Sequence, residues 1–209
     1  MAIRVLREII LKNLWLAYRL PFLAGVMLLI LTFMLFPAAG LTATEAGKPI
    51  EMMISFVGIV MMIAVFIPEQ DKALKEVVAC RKIGLEAIQF IRMILSVFFI
   101  VFLVAAYCVY LKANECQISL YMVWGGISSA FFLGSISFCV AGISGNSING
   151  ILAGMVYYIC NYGLKKQLGV FHLFRMSMGI YSGKTWIFIA GVLLIMITFM
   201  GYEKKYFIG

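Results

Sequence analysis

Apolar positions gather in six runs, at roughly 21–37, 52–67, 88–111, 120–143, 149–162 and 186–202. The stretches between and flanking them hold all of the charge but Arg92. A helix needs about 20 residues to cross about 30 Å of hydrocarbon, with about 17 as the lower limit. The third and fourth runs are long enough to tilt, whereas the second and fifth are short. The fifth, ILAGMVYYICNYG, predicts a helix that joins a partly buried segment after it.

Two polar stretches keep a helical period. In residues 2–19, Ile3, Leu6, Ile9, Ile10 and Leu14 share a face, and Arg4, Glu8 and Lys12 form a charged ladder opposite. That pattern predicts an interfacial helix over 1–19, apolar side down, serving either as an anchor or in docking. Pro21 then suits the first turn of the first span, where a missing N–H costs nothing. The second stretch is FIPEQDKALKEVVACRKIG, residues 66–84. Pro68 ends the second span, and a helix over 69–83 places Ala73, Leu74, Val77 and Cys80 on one side. Lys72, Lys75, Glu76 and Lys82 fall on the other. Such a helix either lies in a groove on a soluble partner or simply connects two spans.

Composition fixes the class. Of 209 residues 64% are hydrophobic and 12% charged, and the mean hydropathy is +1.06. Soluble domains carry about 25% charged residues, so this is the composition of an integral membrane protein, and the six runs predict an all-α, polytopic chain with six transmembrane helices in one domain. With both termini in the cytoplasm, eleven Lys and Arg fall inside against six outside, Lys48, Lys112, Lys165, Lys166, Arg175 and Lys184. That bias favours the arrangement. Four of those six lie in or beside 163–183, read as an outer or re-entrant segment. The net charge of +8 suits anionic inner-leaflet lipid and calls for no nucleic acid.

Candidate chemistry is sparse. Cys80, Cys108, Cys116, Cys139 and Cys160 form no CxxC, and His172 is the sole histidine, so no metal or cofactor site is expected. His172, in VFHLFR, reads as an interfacial residue beside aromatics. YSGKTW carries the GKT ending of a phosphate loop, but Met178 stands where the loop needs Gly and no strand precedes it. Intramembrane hydrolysis needs ionisable groups at membrane depth. The predicted spans hold none there, since Glu86 and Arg92 sit at a span end where they can snorkel. The chain is not expected to be an enzyme. GGISSAFFLGSISFCVAGISG (125–145), with Gly150 and Gly154 after it, predicts close helix packing, a substrate path or a dimer contact.

In order and spacing the chain resembles the membrane-spanning permease subunits of type-two ABC transporters, the exporter class. The resemblance rests on an N-terminal interfacial helix and a short second span ending in acidic Glu69. The stretch DKALKEVVACRK follows, and a third span opens with Arg92 in AIQFIRMIL. LKKQLGVFHLFRMSMGIYSGK resembles the outer or re-entrant piece that precedes the family's last span. The family's usual proline after the coupling helix is replaced by CRKIG.

The resemblance implies a dimeric pore in a bacterial plasma membrane, with each coupling helix docked on a separate ATP-binding subunit. It assigns docking to Glu69, Asp71, Leu74, Lys75, Val77, Val78 and Arg81, and dimer or helix packing to Gly150 and Gly154. The absence of a charged site in the spans points to an amphipathic or hydrophobic cargo, such as an antimicrobial peptide, a drug or a lipid-like molecule. A vitamin-binding subunit of an energy-coupling-factor importer, or a non-transport anchor or immunity protein, are the alternatives.

Overall fold

The computed structural model describes residues 17–37, 39–70, 85–164 and 167–207, and among these the chain is helical without a strand. Helix α1 (Arg19–Leu35) is followed by α2 (Ala43–Pro49), a π turn (Ile50–Ile54), α3 (Phe56–Ile63) and a 3-10 turn (Ile67–Glu69). Then come α4 (Leu85–Ala113), α5 (Leu120–Ser144), α6 (Ser147–Gly163), 3-10 turns at Gly169–Phe171 and Leu173–Met178, and α7 (Lys184–Phe207). Among the described residues, four stretches are long and apolar enough to cross a bilayer: Ala43–Ile63, Ala87–Ala113, Leu120–Ser144 and Lys184–Gly201. Helices α1 and α6 have 17 residues each.

The second apolar run extends further toward the N-terminus than its hydropathy indicates. The Glu45 carboxylate accepts the Thr42 backbone N–H at 3.0 Å and the Thr42 hydroxyl at 2.7 Å. This capping box starts the helix at Ala43, and its polar first turn, ATEAGK, hides it from an apolar count. Pro49 cannot donate to the ladder, and the π turn follows it directly, so the helix continues to Ile63 with one wide turn.

Helix α5 is the axis of the molecule. In its most apolar window 78% of residues are buried, against 39% for α4 and 28% for α7. Glycine makes the central crossing possible. A Cβ on Gly58 of α3 would lie 1.7 Å from the Ala130 carbonyl oxygen, and one on Gly134 2.5 Å from the Gly58 oxygen. With no water to drive association in lipid, such backbone proximity supplies the packing energy. Helix α6 closes on the same pair. Positions for a Cβ on Gly150 and Gly154 fall 2.4 Å from the Ser137 carbonyl oxygen and 2.2 Å from the Ser137 Oγ. Both glycines therefore face α5 of their own chain.

Candidate functional site

Polar side chains that a hydrophobic bundle tolerates only when fully bonded mark its two ends. At the end where α3 finishes and α4 begins, Arg92 is buried, 5% exposed, and its guanidinium donates to the Val65 carbonyl at 3.1 Å. Ser96, one turn on, donates to the Met61 carbonyl at 2.7 Å. These carbonyls belong to the last turn of α3 and the bend after it, where a helix leaves acceptors without internal partners. Tyr18, just ahead of α1, donates its hydroxyl to the Arg92 carbonyl and lies 2.8 Å from Ser96 Oγ. Burial raises the Tyr18 hydroxyl well above the ordinary tyrosine range, so it stays protonated as a donor.

Arg92 thus corrects the expectation of a snorkelling side chain. Helix α4 starts at Leu85, so two turns of helix place Arg92 inside the bundle rather than at its rim. The three residues lock the start of α1, the end of α3 and the start of α4 together. Of the residues assigned to docking, Asp71, Leu74, Lys75, Val77, Val78 and Arg81 lie outside the described residues, as does most of the interfacial helix over 1–19. Glu69 closes the 3-10 turn that leads into that segment.

The opposite end holds a buried ion pair that hydropathy and spacing passed over. Glu51 is 0% and Lys184 2% exposed, and their Oε1 and Nζ are 2.6 Å apart. Lys184 also donates to Ser129 Oγ at 2.7 Å and to the Leu173 carbonyl at 2.6 Å, so all three of its protons are used. Glu51 Oε1 accepts the Met176 amide and Oε2 the Ser177 amide, each at 2.9 Å. Four elements meet here: the π turn, α5, the 3-10 turn Leu173–Met178 and the start of α7.

Residues 167–183 form a cap over this pair. Leu173, Phe174 and Met176 are buried, and Gly125 of α5 admits Met176, since a Cβ there would lie 2.3 Å from its sulfur. Asn161 on α6 accepts the Leu173 amide at 2.8 Å, and the Tyr157 hydroxyl donates to the Phe171 carbonyl at 2.6 Å. His172 is buried, with a ring nitrogen 3.2 Å from the Asn161 carbonyl and its ring 5.6 Å from Phe174. It sits beside aromatics, as its sequence context indicates, but inside the cap rather than at an interface.

Lys184 belongs to the GKT run that imitates a phosphate loop. Its ammonium is wholly occupied by protein oxygens, which explains why the string occurs without a nucleotide-binding strand. No group of three or more His, Cys, Asp or Glu side chains able to hold a metal occurs among the described residues.

Two apolar grooves run along the flanks. One of about 490 Å³ separates α1 from α6 over a floor of α3, lined by Leu20, Ala24, Ile59, Ile63, Ile151 and Met155 among others. The other, of about 720 Å³, lies between α4 and α7 and is walled by Phe90, Met93, Val97, Phe131, Phe188 and Phe199 among others. Compared with known proteins, the chain matches no family model, no curated protein and no solved structure.

Proposed function

We propose that the chain is the permease subunit of an ATP-driven exporter of the type-two ABC class. It would sit in a bacterial plasma membrane, working with a second permease and with a separate polypeptide that hydrolyses ATP. The observation that carries this reading is the Tyr18–Arg92–Ser96 lock. A force on the 69–83 segment reaches α1, α3 and α4 at once, because their ends are bonded to one another instead of hanging on flexible loops. A cytosolic coupling helix needs that arrangement if nucleotide-driven movement of a partner is to shift transmembrane helices.

In this reading α1, Ala43–Ile63, α4, α5, α6 and α7 are six spans, with both termini and the 69–83 segment in the cytoplasm and the 167–183 cap outside. The α1–α6 groove, flanked by exposed Leu23, Met27, Ile151, Leu152 and Met155, receives the second permease. The all-apolar walls of the α4–α7 groove favour an amphipathic or hydrophobic cargo over an ion or sugar.

The experiment is isolation of the tagged chain from its own membrane in mild detergent, followed by identification of the copurifying polypeptide. A nucleotide-binding subunit in near-equal amount, which the chain loses when Leu74 and Val77 are changed to Asp, is the expected result. A monodisperse chain that never brings an ATPase with it contradicts the reading.

A further inference from the structure

The cap and its ion pair have the parts of a gate. Residues 169–183 contain three glycines in the left-handed region, Gly169 at φ +51°, Gly179 at +75° and Gly183 at +98°, so the segment turns sharply at its start and on its way back into α7. Between these bends the cap is held by the buried side chains of Leu173, Phe174 and Met176 and by hydrogen bonds, of which the charged ones converge on Glu51 and Lys184. That carboxylate sits in a π turn, a helix irregularity that occurs often at functional positions and can revert to the α form by a shift of one residue. A one-residue shift rotates a helical side chain by about 100°, which would carry the carboxylate off the Met176 and Ser177 amides.

A buried pair serving stability alone has little advantage over apolar side chains of the same volume, because desolvation offsets its attraction. A pair that must be made and broken has a reason to be charged. In the open state both ions and the freed amides meet water, which lowers the cost of parting. Gly125 and Ser129 of α5, against which the cap and Lys184 rest, then lie uncovered at the mouth of the bundle.

We propose that residues 167–183 are a hinged outer lid and that Glu51, gripped by Lys184, is the catch that holds it shut. The proposal rests on the export reading for its direction and purpose. Its own test needs neither the ATPase nor a cargo.

The purified chain in lipid nanodiscs is followed by hydrogen–deuterium exchange resolved to single amides, for the native protein, Glu51→Gln and the double variant Glu51→Leu/Lys184→Met. The amides of Met176 and Ser177 are set aside, because they lose their acceptor directly. The amide of Leu173, which bonds across the edge of the cap to Asn161 Oδ1, reports its release, whereas those of Phe171, His172, Gly179 and Ile180 bond within the cap and stay paired when it swings. In both variants the Leu173 amide is expected to exchange about tenfold faster or more, while α5 amides keep their native protection. Unchanged exchange at the Leu173 amide overturns the proposal. A rise of equal size across α5 and the cap also overturns it, because that outcome makes the pair a staple for the whole fold. If the lid responds as expected yet no ATPase copurifies, the export reading falls and the catch stands; the reverse result separates them the other way.

Discussion

At the scale of single residues, the strongest commitments are the buried charges and the smallest side chains. Lys184→Met leaves the Glu51 carboxylate without its counter-ion at 0% exposure, a change that costs about 3–5 kcal/mol for pairs of this kind. Thermal unfolding in detergent is expected to show a large drop in Tm, and the Glu51→Leu/Lys184→Met double variant is expected to recover about half of it or more. Gly58 offers a second check. A methyl group there must occupy the space of the Ala130 carbonyl, so Gly58→Ala is expected to abolish monodisperse folded protein. Gly201→Ala meets nothing within 4 Å and lies in a helix, and is expected to hold or slightly raise Tm. Size-exclusion profiles of the two variants compare a tight crossing with an open one. The ion pair was illegible in the sequence because its members stand 133 positions apart and each flanks an apolar run. A charge in that place reads as an ordinary interfacial residue.

At the scale of elements, the lock of α1, α3 and α4 makes its own prediction. Tyr18→Phe removes a donor from a buried network, and Arg92→Met leaves the Val65 carbonyl unbonded. The first is expected to cost about 1 kcal/mol and the second about 1–3 kcal/mol, read as shifts in thermal unfolding. If the lock transmits force, Tyr18→Phe should also lower ATP-driven transport more than it lowers ATPase binding.

Much of this level was legible. The six apolar runs correspond to α1, the 43–63 helix and α4 to α7, because lipid-facing and core-facing positions are both apolar and hydropathy registers either. Boundaries were less so. Thr42 and Glu45 start a helix through hydrogen bonds, and a capping box adds nothing to an apolar count. Arg92 looked terminal because the polar turn ahead of it, in α4, does not read as part of a span.

At the scale of the whole molecule, among the described residues, three helices apolar and long enough to cross a membrane and two shorter ones gather around a fourth long one, the buried α5, which fits a protein embedded in a bilayer. The polar chemistry divides between two ends, a hydrogen-bonded lock at one and a capped ion pair at the other, with apolar grooves between. An exporter driven from the cytoplasm uses such a division, taking force at one end and opening at the other. The proposed cargo and ATPase were not legible, since the charges at Glu51, Arg92 and Lys184 are bonded within the chain and point to neither. The resemblance places the ATPase on the 69–83 stretch, whose charged helical period by itself fits a connector as well.

That feature also gives the most direct test. The chain and the ATPase proposed to copurify with it are reconstituted in liposomes, and ATP hydrolysis and complex stability are measured for the native chain and for Leu74→Asp/Val77→Asp. With α1, α3 and α4 intact, the variant is expected to remain monodisperse with an unchanged Tm, while ATPase binding weakens by about tenfold or more, as loss of a central apolar contact does at an interface. A variant that binds the ATPase and transports as the native chain does would contradict the account.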